Sequence, residues 1–228
     1  MKSILFINPN SSIKVTTNLK QSLVVPDNTN ITYYTAPKDA PLEITNNITA
    51  KKSEEIVIKD LIDSQLLTKF DGFIIGCYSD HPLIKSVGEI SHKPCMGIFQ
   101  ATILYSLSNP SINKSIILTS SSEWENTLNE SIIDFLGVDQ FPSRKFVKTR
   151  GLNVKVNNLA DDDQYKNIKI VVDDILTDKD INCVLLGCAG MAGLDLKLKI
   201  DYPNTLFIDS CKIAVELLSG LIRFGEYA

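Results

Sequence analysis

The chain has 228 residues, enough to bury a sizeable core as one large domain or two smaller ones. It is 44% hydrophobic and 22% charged, which is typical of a globular protein and excludes wholesale disorder. The net charge is −4 and no Lys/Arg run exceeds two residues, so the sequence has no electrostatic signature of nucleic-acid or membrane binding.

Short apolar runs alternate with stretches of helical periodicity, which is typical of βαβ units and a mostly parallel sheet. The predicted strands are Ile4–Asn8, Ile31–Thr35, Phe73–Gly76, Cys95–Ile98, Ser115–Thr119, Lys145–Arg150, Cys183–Gly187 and Leu206–Asp209. Helices are predicted after the cap signal Asn10–Ser12, after Thr49, from the capping-box pattern Ser122–Glu125, and over Gln164–Leu176 and Lys212–Phe224. The connection Ala36–Thr49 is long for a βα loop, and we expect it to fold over the strand ends.

Cysteine content and hydropathy set expectations for the cellular compartment. The chain has five cysteines, an odd number that does not fit a small disulfide framework. The apolar run at its start is too short for a signal peptide, and no stretch reaches the ~18 apolar residues of a spanning helix. We therefore expect a cytoplasmic protein with reduced thiols and no membrane partner.

An internal repeat relates the two halves of the chain. An offset of 111 residues, the separation of Cys77 and Cys188, places strand ends on strand ends and apolar-Gly-Cys on apolar-Gly-Cys. The pattern predicts an α/β protein made of two similar parallel-sheet α/β halves related by a pseudo-twofold axis. The first half comprises residues 1–103 and 212–228, and the second comprises residues 104–211. Ligands of open parallel sheets bind at the carboxyl ends of the strands, so we expect the active site in the cleft between the halves.

Two of the five cysteines are candidates for chemistry. A thiol that ends an apolar strand is usually a packing residue, and this is our interpretation of Cys95, Cys183 and Cys211. Cys77 and Cys188 differ because each follows a glycine at a strand-to-helix turn, where backbone amides and the helix dipole favour a thiolate. The repeat predicts that these two thiols face each other across the cleft.

A zinc site is an alternative use of one of these cysteines. Cys77, His81, His92 and Cys95 have C-x3-H and H-x2-C spacings, which resemble two halves of a four-ligand site. The chain has no dinucleotide or P-loop fingerprint and no H-E-x-x-H or G-x-S-x-G motif. The glycine-rich segment Gly187–Gly193 is compatible both with a tight turn and with amides aimed at a ligand oxygen.

Three segments carry a resemblance to a known family. Ile7–Ser11, Gly76–Leu83 and Leu186–Met191 resemble the hydantoin/allantoin racemases of the aspartate/glutamate racemase superfamily. The resemblance extends over essentially the whole chain, and the second segment is similar to the fungal branch. It implies a fold of two α/β halves with the site between them, in agreement with the repeat.

The resemblance also implies an activity and a set of site residues. It implies a cofactor-independent racemase without a metal, in which Cys77 and Cys188 exchange a proton with the substrate as acid and base. It implies that the ring's polar groups are held by Asn8, Asn10, Ser79, Thr119, Ser120 and the amides of Ala189 and Gly190. The implied substrate is a small molecule, with allantoin first and a 5-substituted hydantoin second. Known members often form homo-oligomers, so we expect one here.

Two-thiol racemisation of a hydantoin ring is also supported by general chemistry, apart from the resemblance. Two alternative functions stay open. Racemisation needs a base on one face of the stereocentre and an acid on the other, and a hydantoin C5–H is already activated by its carbonyl. Near-attack contacts of roughly 3–3.5 Å on each face predict sulfur atoms roughly 6–7 Å apart. A superfamily isomerase or decarboxylase is one alternative, and a small-molecule sensor of nitrogen metabolites is the other. Binding alone has no need of paired thiols, which argues against the sensor.

Overall fold

The computed structural model describes residues 1–154, 156 and 162–225, which form two parallel sheets with helices between successive strands. The strands are β1 (Lys2–Asn8), β2 (Thr29–Thr35), β3 (Gly72–Ile75), β4 (Cys95–Gly97), β5 (Lys114–Thr119), β6 (Phe146–Gly151), β7 (Ile181–Gly187) and β8 (Leu206–Asp209). The α-helices are α1 (Ile13–Ser22), α2 (Asn47–Asp63), α3 (Leu83–Ser91), α4 (Ile98–Ser108), α5 (Trp124–Leu136), α6 (Asp162–Ile175), α7 (Leu194–Asp201) and α8 (Ser210–Phe224). Each predicted strand is present, within two residues at either end.

The two sheets have the same strand order. The first runs β2-β1-β3-β4 and the second β6-β5-β7-β8, and every paired strand is parallel. This equivalence confirms the predicted α/β fold of two similar halves. The second sheet is less regular than the first, because the register of β5 shifts against β6 between Ile116 and Leu118 and against β7 between Lys114 and Ser115. The central strands β1, β3, β5 and β7 are apolar in their middle segments, because helices cover both faces of a parallel sheet.

The first helix forms where the cap signal predicts it. The Ser12 hydroxyl accepts a hydrogen bond from the Val15 amide and caps α1. Leu19 and Leu23 are buried, as expected of its inward face. The cap therefore fixes the point at which the chain leaves β1 and turns over the sheet.

The starts of two other helices differ from the prediction. Helix α2 begins at Asn47 rather than after Thr49, because Asn46 and Thr49 form a reciprocal capping box. The capping box predicted at Ser122–Glu125 is wrong, because the Glu125 carboxylate accepts from the Gly151 amide at 2.8 Å instead. That bond ties α5 to the end of β6.

Helices α4 and α7 were not predicted. Helix α4 is apolar on nearly every side, so it has no polar stripe from which a helical period can be recognised. It packs against α8, which also contacts β3 and β4 of the first sheet.

The proposed boundaries of the halves, residues 1–103 with 212–228 and residues 104–211, stay a prediction, and residues 226–228 lie outside the described part. No helix in the described ranges is both long enough and apolar enough to cross a membrane.

Replacing Gly151 by alanine is expected to lower the free energy of unfolding by about 1–3 kcal/mol. Its β-carbon would lie 2.3 Å from the Ser122 nitrogen, and backbone at that distance has to move. Gly220 in α8 is the matched control, because a β-carbon there meets nothing within 4 Å. Alanine at that helix position should raise the free energy of unfolding by up to about 1 kcal/mol. Urea unfolding midpoints of the two variants measure both effects, and equal midpoints would contradict the steric argument.

Candidate active site

A narrow cavity of about 40 Å³ lies at the carboxyl ends of β3 and β7 and draws its walls from both halves. The residues that line it are Asn10, Ile44, Gly76, Cys77, Tyr78, Thr119, Ser120, Trp124, Val156, Gly187, Cys188 and Ala189. Cys77 and Cys188 thus share one cavity, each placed there by the turn that follows an equivalent strand. The position is the cleft that the repeat predicted.

The glycine before each cysteine is required by the close approach of neighbouring atoms. A β-carbon on Gly76 would lie 2.7 Å from the Phe6 ring and 3.1 Å from the Ile7 carbonyl oxygen. A β-carbon on Gly187 would lie 2.8 Å from Ile117 and 2.9 Å from the carbonyl oxygen of the following residue in β5. The apolar-Gly-Cys pattern therefore lets each strand end pack tightly before the chain turns and presents the thiol.

The Cys77 thiol is polarised by one neighbour. Its sulfur lies 3.4 Å from the Ser79 hydroxyl. Burial raises the pKa of Cys77 to about 11, and the hydrogen bond with Ser79 offsets part of that increase. Ser79, predicted to hold the substrate, contacts the thiol and does not line the cavity.

The Cys188 thiol has a different set of neighbours. Burial raises its pKa to about 12, the Gly190 amide and the Ser120 hydroxyl lower it, and the proximity of Cys77 and Glu43 raises it. Both cysteines are therefore thiols near neutral pH. The Gly190 amide at the strand-to-helix turn does favour a thiolate at Cys188, as expected, but desolvation raises the pKa of each thiol by more than the hydrogen bonds lower it.

The other predicted binding residues divide into two groups. Asn10, Thr119, Ser120 and Ala189 line the cavity. The Asn10 side chain accepts from the Ser12 amide, and its own amide nitrogen donates no hydrogen bond to the described residues. Asn8 is fully buried behind the wall, where its amide group donates to the Ser12 carbonyl and the Thr16 hydroxyl. The structure thus gives Asn8 a role in joining β1 to α1, and it directs the Gly190 amide at the Cys188 sulfur.

Four apolar or aromatic residues of the wall were not predicted: Ile44, Tyr78, Trp124 and Val156. Tyr78 is fixed by a 2.8 Å hydrogen bond between its hydroxyl and Thr102. Two features of the sequence could have pointed to these wall residues: Tyr78 directly follows Cys77, and Trp124 is the single tryptophan of the chain.

Ile44 belongs to the connection between β2 and α2, which reaches the cavity as expected. The connection is held in place at Ser11, whose amide donates to the Pro41 carbonyl and whose hydroxyl donates to the Ala40 carbonyl, each at 3.0 Å. The side chain of Ile44 is buried, so it forms a fixed part of the wall.

The four residues of the zinc alternative are not brought together. Cys77 and His81 precede α3, whereas His92 and Cys95 follow it, and nine helical residues separate the pairs by about 13 Å. Within the described ranges, no three His, Cys, Asp or Glu side chains form a group able to hold a metal ion. Burial lowers the pKa of His81 to about 4, so the imidazole is neutral. The zinc interpretation based on these four ligands is wrong.

Comparisons with known proteins agree with this architecture. The family described as Asp/Glu/Hydantoin racemase matches residues 4–218. Protein DCG1 of Saccharomyces cerevisiae is 31% identical over 237 residues, which cover 97% of this chain and 96% of that protein. The hydantoin racemase of Paenarthrobacter aurescens is 23% identical over 224 residues, covering 97% and 92%. The solved allantoin racemase from Klebsiella pneumoniae has a TM-score of 0.85 at 20% identity, covering 99% of this chain and 89% of its own.

Proposed function

Because the chain belongs to the Asp/Glu/hydantoin racemase family, we propose that it racemises a hydantoin-type ring, with allantoin as the leading substrate. The observation that carries the proposal is the placement of Cys77 and Cys188 on one cavity from equivalent strand ends. A stereocentre held between the two sulfur atoms has one thiol on each face, as a two-base mechanism requires.

The proposed reaction is a proton exchange at C5 of the ring. One cysteine, as the thiolate, removes the C5 proton and becomes a thiol. The resulting enolate takes a proton from the opposite thiol on the other face, which leaves that cysteine as the thiolate. Atoms and charge balance, and the site returns to its starting composition with the thiolate on the other side.

The surroundings of each sulfur support this exchange. Ser79 stabilises a thiolate at Cys77, and the Gly190 amide with Ser120 stabilises one at Cys188. A thiolate whose thiol has a pKa near 11 or 12 is a strong base for removing a proton from a weakly acidic C–H bond. Only a small fraction of such a thiol is ionised near neutral pH. The wall thus combines two strong bases with local donors that offset part of the cost of ionisation.

The polar lining supplies candidates for binding the ring. The amide hydrogens of Asn10, which bond no described residue, and the backbone amide of Ala189 can donate to ring carbonyls, including the oxygen on which enolate charge develops. Thr119 and Ser120 add hydroxyl groups to the same lining. The cavity has room for only about three water molecules, so we expect its walls to separate when a ring enters.

Racemisation of single allantoin enantiomers in heavy water tests the proposal. Polarimetry should show loss of optical rotation faster than the spontaneous rate, and NMR should show deuterium at C5 of the product. Substrate recovered early should carry much less deuterium, because its face is served by the thiol that took the original proton. Binding without optical change would favour the sensor, and turnover of an arylmalonate without racemisation would favour the decarboxylase.

A further inference from the structure

A second cavity of about 250 Å³ adjoins the thiol cavity. The two share the side chains of Ile44, Ser120, Trp124 and Val156, so a group that leaves the thiol cavity between these residues enters the second one. The remaining wall of the second cavity is mostly polar and consists of Glu43, Thr45, Ser121, Asn153 and Val154. We call this space the outer cavity.

Glu43 is the charged group of the outer cavity. It is partly buried, and no described residue forms an ion pair or hydrogen bond with its carboxylate. Its neighbour Ile44 is buried, and the connection that carries both is bonded to Ser11 through Ala40 and Pro41. Glu43 therefore has a defined position but no protein partner in the described ranges.

The carboxylate of Glu43 also lies on the Cys188 side of the wall. Its negative charge contributes to the raised pKa of the Cys188 thiol, which places the carboxylate within electrostatic range of the sulfur. A substituent on a ring held between Cys77 and Cys188 would thus extend toward Glu43 by way of Ile44 and Trp124.

We propose that Glu43 binds N–H groups on the ring substituent, so that the site selects substrates with a ureido-type substituent over those with an apolar one. A carboxylate only accepts hydrogen bonds, and two parallel N–H groups match its two oxygen atoms. A ureido group presents such N–H groups, whereas an alkyl group leaves the carboxylate unpaired. This inference rests on the proposed racemase function and assigns the substrate class to one residue.

Four proteins and two substrates test this assignment. The proteins are the parent, Glu43→Leu, Glu43→Gln and the control Asp39→Leu, which changes an exposed carboxylate on the same connection outside both cavities. The substrates are single enantiomers of allantoin, which has a ureido group at C5, and of 5-isopropylhydantoin. Polarimetry gives kcat and KM for each pair.

Glu43→Leu should lower kcat/KM for allantoin about 10–100-fold, mainly through KM, because a hydrogen bond to a charged group is lost. It should change kcat/KM for 5-isopropylhydantoin less than about threefold. Glu43→Gln should give an intermediate loss with allantoin, since it keeps one acceptor oxygen, and Asp39→Leu should behave like the parent. If Glu43→Leu fails to fold, the near-isosteric glutamine variant decides the question through the same ratio of substrates.

Three results would overturn the assignment. If Glu43→Leu keeps the parental preference between the substrates, Glu43 does not bind the substituent or select between substituents. The racemase proposal would still stand. Equal losses with both substrates would show that Glu43 acts on the thiol or the fold. If the parent racemises neither compound, the proposed function fails and the assignment with it.

Discussion

Replacing Cys77 or Cys188 by alanine is expected to lower the racemisation rate by at least about 10²–10⁴-fold, the usual contribution of a single acid–base group. Each face of the stereocentre needs its own proton carrier, so the surviving thiol cannot complete the reaction alone. The double variant should lose little more than either single variant, because the two thiols act as one unit in the proposed mechanism. Polarimetry with allantoin measures all three variants.

Cys95→Ala is the control for these substitutions. Cys95 is a partly buried thiol in β4, outside the cavity, and burial raises its pKa to about 12, so it matches the other two in character. Its removal should leave turnover nearly unchanged. Parental racemisation by either Cys77→Ala or Cys188→Ala would show that the two-thiol assignment is wrong.

We expect kcat/KM to rise about tenfold per pH unit from about pH 6 to about pH 8.5. The proposed reaction needs one thiolate, and burial raises the pKa of Cys77 to about 11 and that of Cys188 to about 12. Well below a pKa, the ionised fraction grows tenfold with each pH unit, so the profile should have no plateau in this range. His81 adds no inflection near neutral pH because its pKa is lowered to about 4.

The upper limit of that pH range follows from stability. A thiol whose pKa is raised by folding binds more protons in the folded chain than in the unfolded chain above about pH 8.5. The free energy of unfolding therefore falls as the pH rises past that value.

Initial rates, corrected for spontaneous racemisation at each pH, give the pH profile of kcat/KM. A plateau in kcat/KM with an apparent pKa near 7 would contradict the argument that burial is the main influence on the pKa values of these thiols.

The strands could be predicted more completely than the helices, for a physical reason. A central strand such as β3 is covered on both faces, so its apolar run is visible in the sequence. Helix α4 is also covered on most sides, and it lacks the polar stripe that identifies a helix. The capping pattern at Ser122 failed because Glu125 has a distant partner, Gly151, that no local pattern contains.

The site could be predicted in part. Gly76 and Gly187 precede the two cysteines at the same offset, so a local pattern identified the thiols. Ile44 and Trp124 reach the cavity through tertiary contacts that have no sequence period. The raised pKa values of the thiols depend on how completely the two halves exclude water, and this is a property of the closed cleft rather than of either strand end.

The unlike surroundings of the two thiols have a consequence for the kinetics of a racemase. Cys77 has Ser79 beside it, whereas Cys188 has the Gly190 amide and Ser120. Mirror-image molecules have equal free energies in an achiral solvent, so the equilibrium constant is one and the Haldane relation makes kcat/KM identical for both enantiomers. The asymmetry around the sulfurs therefore cannot favour one direction of conversion. It can only make kcat and KM differ between the two enantiomers, both by the same factor, so that the ratio kcat/KM stays the same.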